Sequence, residues 1–405
     1  MSTQSRKLAY LLHVLWQSPV FGDSFPKSSD ESSAMAQFDS MYPYFVKTVF
    51  PILKNGLPNE DSDKLNGIIE QIAPKSIAFC ASISAGEIQN MEHLSNAAAA
   101  ISISYWADQS MDRGDEWMLA AVQYLNHKSI GKDIAASKEF SGRLEALRHI
   151  KRLASQITNF PDDLPYTLQA IERDVLGNQA EMCLLSRKFL GSPVEHFWDA
   201  HAKEVAQTMI DCSGLMSAVA IIYAIYRRRQ PDLPSLDEIY SHPELMRLVR
   251  GTFNSAVRVF DDAGDCETDR GKDAEWGGFN LNIFNQPHPK LLREFLDYSE
   301  ISENHPLRAE ALSSFALPLS ESRVVVSQLF LNIARQQVAA LPASLWEHYT
   351  LFLTLCKRTL EAGFVNTLGD VFLSENANLS TFEEGFLNLL APEFDSFSSW
   401  QEANV

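Results

Sequence analysis

The chain has 405 residues, of which 45% are hydrophobic and 21% are charged, and its formal net charge at pH 7 is −18. A chain of this length can bury a large core in one big domain or two modest ones. The acidic balance does not provide the basic patches that phosphate-backbone binding needs, so nucleic acid is not expected as a partner.

The N-terminal apolar run from Leu8 to Trp16 follows two basic residues, Arg6 and Lys7. His13 interrupts the run and no small-residue cleavage site follows, which favours a short amphipathic helix over a signal peptide. No apolar run in the sequence reaches the roughly 20 residues of a membrane span, so stable membrane insertion is not expected. The five cysteines are scattered without a C-x-x-C pair, which predicts reduced thiols in the cytoplasm and argues against a zinc site.

Apolar residues recur at spacings of three and four along almost the whole chain, whereas strand-like alternation is scarce. Turn-forming segments rich in Gly, Pro, Asn and Asp separate pieces that are long enough for helices. These segments are 55–56, 160–163, 191–193, 230–234 and 285–287. The pattern predicts an all-α bundle.

Three parts of the chain are distinguished by composition. Residues 1–40 are predicted to form a small helix and a polar loop, because 22–33 are rich in Ser, Asp and Pro. Residues 41–390 are predicted to form a single helical domain, and residues 391–405 an acidic tail.

Two predicted helices come first in the argument. One carries a run of small residues, 96–107, into Asp108, and small side chains permit close helix approach. The other spans about Val205 to Arg227 and contains Gly214. A glycine inside a helix costs about 1 kcal/mol relative to alanine, so Gly214 predicts a break.

A third predicted helix, from about Leu245 to Asp269, carries an aspartate-rich run. The residues after it, 270–279, include three glycines and are predicted to form a loop that could close over a ligand.

Two aspartate clusters stand at the ends of these apolar helices. Asp108 and Asp112 are one turn apart and share a helix face. The second cluster spans 261–269, and in it Asp262, Asp265 and Asp269 are also spaced to share a face. Like charges at this spacing repel, so a cation between them would stabilise the helix. One such cluster is more often a solvated helix face, but two of them favour a metal site.

The residue types indicate which metal. Magnesium takes oxygen ligands and is often held by one or two carboxylates together with substrate phosphates. No histidine lies within either cluster and Cys266 has no nearby partner in sequence, so zinc or a redox metal is disfavoured. The predicted ligands are Asp108, Asp112, Asp261, Asp262, Asp265 and Asp269, with Asp262 either a ligand or facing outward.

These motifs resemble the class I terpene (isoprenoid) synthases, and most closely the bacterial large terpene synthases of the tetraprenyl-β-curcumene synthase type. The resemblance covers about residues 41–375. It rests on Tyr44–Pro51, on the aromatic pair that precedes the D-x-x-x-D-R motif of Asp108–Arg113, and on Gly363–Asp370.

The resemblance implies an all-α bundle around a central pocket that binds Mg²⁺, with three ions around the diphosphate of an allylic prenyl substrate. The implied reaction releases diphosphate and gives a cyclic or linear terpene. Asp108, Asp112 and Asp265 are the residues on which catalysis would most depend. Aromatic residues near the right helices, such as Tyr105 and Phe260, could face the carbocation, although each is more often plain core.

The chain departs from the family pattern in its basic residues. No Arg-Tyr pair occurs near the C-terminus, and Asp211 stands near Gly214, where a basic diphosphate sensor would be expected. The candidates for diphosphate contact are therefore Arg258, Arg270 and Lys272. A salt bridge with acids on the same helix is an equally good interpretation of Arg258 and Arg270.

Two other functions stay open at this level. One is a squalene/phytoene synthase-like or chain-lengthening prenyltransferase, although the N-terminal third has no G-G-K-R-like segment. The other is a non-catalytic helical interaction protein with acidic patches. A homodimer is compatible with any of them.

Overall fold

The computed structural model describes residues 31–84, 87–88, 90–276 and 280–374. Every regular element in these ranges is a helix and no strand occurs in them, so the predicted all-α fold is confirmed. The short helix predicted near the N-terminus and the acidic tail lie outside the described residues.

Six helices form the N-terminal half of the bundle, and the third of them lies at its centre. They are α1 (Glu31–Gly56), α2 (Ser62–Ile83), α3 (Met91–Asp112), α4 (Glu116–Leu125), α5 (Lys132–Ala135) and α6 (Lys138–Ile157). Helix α3 packs against α1, α2 and α6. Its alanines 97–100 are fully buried, and their small side chains let the three neighbouring helices pack closely against α3. Side-chain caps at Asp61, Asn90, Asp115 and Ser137 fix where α2, α3, α4 and α6 begin.

The first of these helices corrects the predicted domain boundary at residue 41. Helix α1 begins at Glu31, and Phe38 is buried in the core. Residues 31–33, which the composition assigned to a polar loop, are helical because they belong to the first turn of this buried helix.

The middle of the chain supplies two helices that are broken from each other at Gly214. Helix α7 (Leu164–Leu168) continues through a π-helical segment, Gln169–Gly177, into α8 (Asn178–Leu190), and α9 (Val194–Asp211) and α10 (Leu215–Arg229) follow. Gly214 has φ of +80°, a conformation that glycine adopts without strain, and it is the N-cap of α10. The predicted break is therefore confirmed.

The segment Val194–Arg229, which contains this break, is also apolar enough to meet the length and composition of a membrane span. In the part of the chain that the structure describes, 78% of its apolar window is buried inside the bundle. Residues 215–226 are all buried among the neighbouring helices, so α9 and α10 act as core helices of this fold.

The C-terminal half contains the helix of the second aspartate cluster. Its helices are α11 (Leu236–Ser241), α12 (Pro243–Arg247), a π-helical segment (Leu248–Phe253), α13 (Asn254–Trp276), α14 (Pro289–Tyr298), α15 (Arg308–Ser314), α16 (Leu319–Ala339), α17 (Ala343–His348) and α18 (Thr350–Ser374). Helix α13 packs against α16 and α18, and α18 also contacts α2 and α10. Helix α13 also contacts α9 and α10, so it packs against helices from the middle and the C-terminal half of the chain.

The loop predicted for 270–279 is partly wrong. Helix α13 continues through Gly271 to Trp276, because Gly271 is exposed and the residues after it include good helix formers such as Lys, Ala and Glu. Residues 277–279 lie outside the described part of the chain.

Candidate functional site

A cavity of about 250 Å³ opens between α3, α8, the α9–α10 junction, α13 and α18. Asp108 and Asp112 line it from α3, and Asp261, Asp265 and Asp269 line it from α13. The two aspartate clusters are more than 140 residues apart in sequence, yet they face the same space. The bundle therefore gathers five carboxylates around one cavity.

The α3 side of the cavity ends with its helix. Asp108 and Asp112 occupy the last turn of α3, and Gly114, with φ of +81°, follows the C-cap residue Arg113. The C-terminus of a helix carries partial negative charge, so carboxylates there are unfavourable without a cation. Asp115, by contrast, caps α4 through the amide of Met118 and lies 2.9 Å from Arg143, so its role is structural.

On α13 the carboxylates that face the cavity lie at positions i, i+4 and i+8. Asp269 is buried and accepts a hydrogen bond of 3.1 Å from the side-chain amide of Asn282. Asp261 has a side chain 59% exposed, because it opens onto the cavity. The face is thus Asp261, Asp265 and Asp269, whereas the spacing argument had grouped Asp262 with the last two.

Asp262 points away from the cavity, and this placement does not support its assignment as a metal ligand. Its side chain is 1% exposed, forms an ion pair with Arg258, and accepts a hydrogen bond of 2.8 Å from the amide of Ile283. Burial raises the pKa of Asp262, and Arg258 opposes the rise. One carboxylate oxygen therefore pairs with Arg258 on the same helix, and the other holds Ile283 against α13.

The three residues predicted to contact a diphosphate differ in their positions relative to the cavity. Arg258 lines the cavity and also pairs with Asp262, so its salt bridge on the same helix is confirmed, whereas its contact with a diphosphate stays a prediction; its buried Nε has no hydrogen-bond partner among the described residues. Arg270 is exposed, donates to Asn285 over 2.8 Å and does not line the cavity. The side chain of Lys272 lies outside the described residues.

The cavity also receives positive potential from the start of α10. Ser213, Gly214 and Leu215 line the wall where this helix of 15 residues begins, and a helix N-terminus carries partial positive charge. Asp211, which stands in the position expected for a basic sensor, does not line the cavity. It accepts a hydrogen bond of 2.9 Å from the hydroxyl of Tyr298.

Sequence reasoning missed one basic residue, Lys75 on α2. It lines a smaller adjoining pocket of about 110 Å³ together with Tyr105, Asp261 and Asp265. A lysine within the otherwise apolar run of residues 72–80 was the available signal. A charged residue there indicates a helix face in contact with water or an anion. Nothing in the sequence indicates which helix Lys75 faces.

The acidic wall raises the proton affinity of its own members. Partial desolvation at the cavity wall, where the side chain of Asp261 is still 59% exposed, and the neighbouring charge of Asp265 raise the pKa of Asp261 to about 6, against the opposing effect of Arg258. Burial also raises the pKa of the Tyr105 hydroxyl, so it stays protonated and can donate a hydrogen bond. The wall consists of carboxylates that repel each other beside a neutral phenol.

The donor atoms of the acidic wall are carboxylate oxygens, which are the type of ligand that Mg²⁺ takes. Within the described residues, no group of three or more His, Cys, Asp or Glu side chains converges on one point. That arrangement suits a hard cation held by one or two carboxylates, with phosphate oxygens and water completing its shell. The residues therefore fit Mg²⁺ that one or two carboxylates hold weakly, with water or phosphate oxygens as its other ligands.

The rest of the cavity wall combines apolar and uncharged polar residues. Phe79, Ile101, Leu215 and Val257 contribute hydrocarbon surface, whereas Ser104, Gln179 and Ser217 are polar. Gly363 of α18 also lines the wall, and a Cβ atom there would lie 3.3 Å from the ring of Phe260. Phe260 is itself core, 1% exposed, whereas Tyr105 reaches the cavity. The cavity thus has hydrocarbon surface beside its acidic side chains.

Comparison with models of protein families, with curated proteins and with solved structures finds no significant match for this chain.

The raised pKa of Asp261 predicts that magnesium binding depends on pH. A divalent cation binds the ionised carboxylate, so affinity is present above pH 6 and is lost as the pH falls through 6. From pH 8 to pH 5 we expect the affinity for Mg²⁺ to fall roughly tenfold, as measured by calorimetry without substrate. The Asp261→Asn variant should lose most of this dependence; an unchanged pH profile would contradict the assignment.

Proposed function

We propose that this protein is a magnesium-dependent class I terpene synthase, which cleaves an allylic prenyl diphosphate in the cavity. The observation that carries the proposal is the meeting of Asp108 and Asp112 with Asp261, Asp265 and Asp269 around one cavity that also has apolar wall residues. A diphosphate with a hydrocarbon tail likewise combines a charged part with an apolar part. The motifs of the family resemblance supply the class of reaction.

The carboxylates would hold the metal ions, of which the resemblance implies three. Five carboxylates alone would repel an anionic diphosphate, so the cavity suits this substrate only in combination with cations. When bound, Mg²⁺ would neutralise the diphosphate oxygens and act as a Lewis acid. Asp262 is reserved for Arg258 and takes no part in this set.

In the proposed reaction the bond between the allylic carbon and the diphosphate oxygen breaks heterolytically. The electron pair leaves with the diphosphate, and the start of α10, which lines the cavity, would stabilise the charge that develops on its oxygens. The remaining allylic cation would lie beside the apolar wall residues and the ring of Tyr105. Loss of a proton or capture of water then gives the terpene or its alcohol.

The test is incubation of the purified protein with geranyl, farnesyl, geranylgeranyl and longer prenyl diphosphates, with and without Mg²⁺. We expect magnesium-dependent release of diphosphate with at least one of these substrates. Mass spectrometry should show a product with the carbon number of a single substrate. No release with any chain length would contradict the proposal.

The same experiment separates the alternative functions. A product with the carbon atoms of two substrates would indicate a squalene-type condensation, and a longer diphosphate would indicate chain elongation. If Mg²⁺ and inorganic pyrophosphate together leave the melting temperature unchanged, the non-catalytic interaction protein is favoured instead. A cytoplasmic location is part of the proposal and rests on the five free thiols.

A further inference from the structure

Lys75 lies on α2, away from both aspartate clusters in sequence. Between Ile72 and Cys80 this helix is buried except at Lys75 and Phe79, which are one turn apart and share a face. Phe79 lines the main cavity. The one partly exposed face of this helical segment is therefore directed at the site, and it presents a cation beside an aromatic ring.

The pocket beside Lys75 is continuous with the acidic wall. Tyr105, Asp261 and Asp265 line both this pocket and the main cavity. Lys75 lines the smaller of these two spaces together with the same three residues. The ammonium group is thus within electrostatic range of the carboxylates that face the cavity.

The cavity needs such a cation because its other one is already engaged. Arg258 is the basic residue that lines the main cavity in the part of the chain described, and Asp262 holds its guanidinium. A lysine is a compact charge on a flexible stem, so the same ammonium group can turn from a carboxylate to a phosphate oxygen. An arginine held by a buried partner has no such freedom.

We propose that Lys75 contacts the diphosphate of the substrate, and that without metal it neutralises the Asp261 and Asp265 wall. This rests on the proposed function. It assigns two states to one side chain: a counter-ion for carboxylates in the metal-free protein and an anion contact in the loaded one. Mg²⁺ and the ammonium group then compete for the same carboxylates.

Calorimetry with Mg²⁺ alone, and with inorganic pyrophosphate at saturating Mg²⁺, tests the proposal. In Lys75→Gln we expect pyrophosphate to bind roughly tenfold more weakly, because a charge-assisted contact is lost. Mg²⁺ alone should bind more tightly, because its competitor is removed. Lys75→Arg should retain most of the pyrophosphate affinity.

The matched control is Lys64→Gln, on the same helix. Lys64 is 62% exposed and pairs with Glu60 at 2.6 Å, so it loses the same charge far from the cavity. Both affinities in this variant should equal those of the wild type. A purely structural role of Lys75 would not move the two affinities in opposite directions.

Two outcomes are decisive, and a further variant covers a failure to fold. Pyrophosphate binding in Lys75→Gln equal to that in Lys64→Gln overturns the role of Lys75 while the proposed function stands. No magnesium-dependent pyrophosphate binding by the wild type overturns both. If the glutamine variant does not fold, as judged by circular dichroism, Lys75→Met keeps the apolar stem and is titrated in its place.

Discussion

Replacement of Asp108 or of Asp265 by alanine is expected to abolish magnesium-dependent release of diphosphate from a prenyl diphosphate. Each change removes one carboxylate from opposite walls of the cavity, and neither wall alone can hold a diphosphate between cations. By analogy with the loss of one group that stabilises developing charge, the rate should fall by roughly 10²–10³-fold or more. The rate of release with saturating Mg²⁺ is the measurement.

Each helix supplies a control for this experiment. Glu92 is exposed in the first turn of α3, and Glu267 is exposed on α13, two residues after Asp265. Glu92→Gln and Glu267→Gln remove the same charge from the same helices but leave the cavity intact, so both should keep wild-type rates. Survival of diphosphate release in both aspartate variants would show that the metal assignment is wrong.

The same substitution at the adjacent residues Asp261 and Asp262 is expected to have different effects on the free energy of unfolding. Asp262→Asn leaves the guanidinium of Arg258 without its buried partner, and breaking such a pair costs about 3 kcal/mol of unfolding free energy. Asp261→Asn removes a charge that Asp265 repels in the metal-free protein. It should leave the stability unchanged or raise it.

Urea unfolding at pH 8 with EDTA measures both variants under the same conditions. At this pH both carboxylates are mostly ionised, so repulsion at Asp261 and attraction at Asp262 are both present. With added Mg²⁺ and pyrophosphate the order should change, because only Asp261 faces the cavity. Equal destabilisation by the two changes would contradict the assignment of one to the cavity and the other to the core.

The charges around the cavity explain why both a basic side chain and divalent ions are expected there. Among the described residues, the positive groups that line the cavity or its adjoining pocket are Arg258, Lys75 and the start of α10, and Arg258 is paired with Asp262. Lys75 and a helix terminus cannot neutralise five carboxylates and a diphosphate. The remaining demand is for mobile divalent ions, which is the physical basis of the magnesium expectation.

Much of the fold could be predicted because helices are local. The spacing of apolar residues indicated helices in the regions where α3, α9, α10 and α13 are found, and Gly214 marked the break between two of them. The boundaries were less accurate. Helix α13 runs beyond Asp269 to Trp276, since an exposed glycine weakens a helix without ending it.

The candidate site, like the fold, could be predicted only in part. The identity of the acidic residues and their helical spacing are properties of short segments, so the sequence by itself determined that two helices carry aspartate clusters. It could not decide between Asp261 and Asp262, because both positions are compatible with the spacing. Only the packing of residues 281–283 against α13 directs Asp262 inward and leaves Asp261 on the cavity.

Lys75 is the clearest case of what only the tertiary structure decided. A lysine among the mostly apolar residues 72–80 is unusual, but nothing within α2 indicates that it meets Tyr105, Asp261 and Asp265, which are far from it along the chain. Local sequence determines secondary structure and helix faces, since these depend on residues a few positions apart. Which charges meet across the cavity depends on how distant helices pack, because electrostatic interactions act through space.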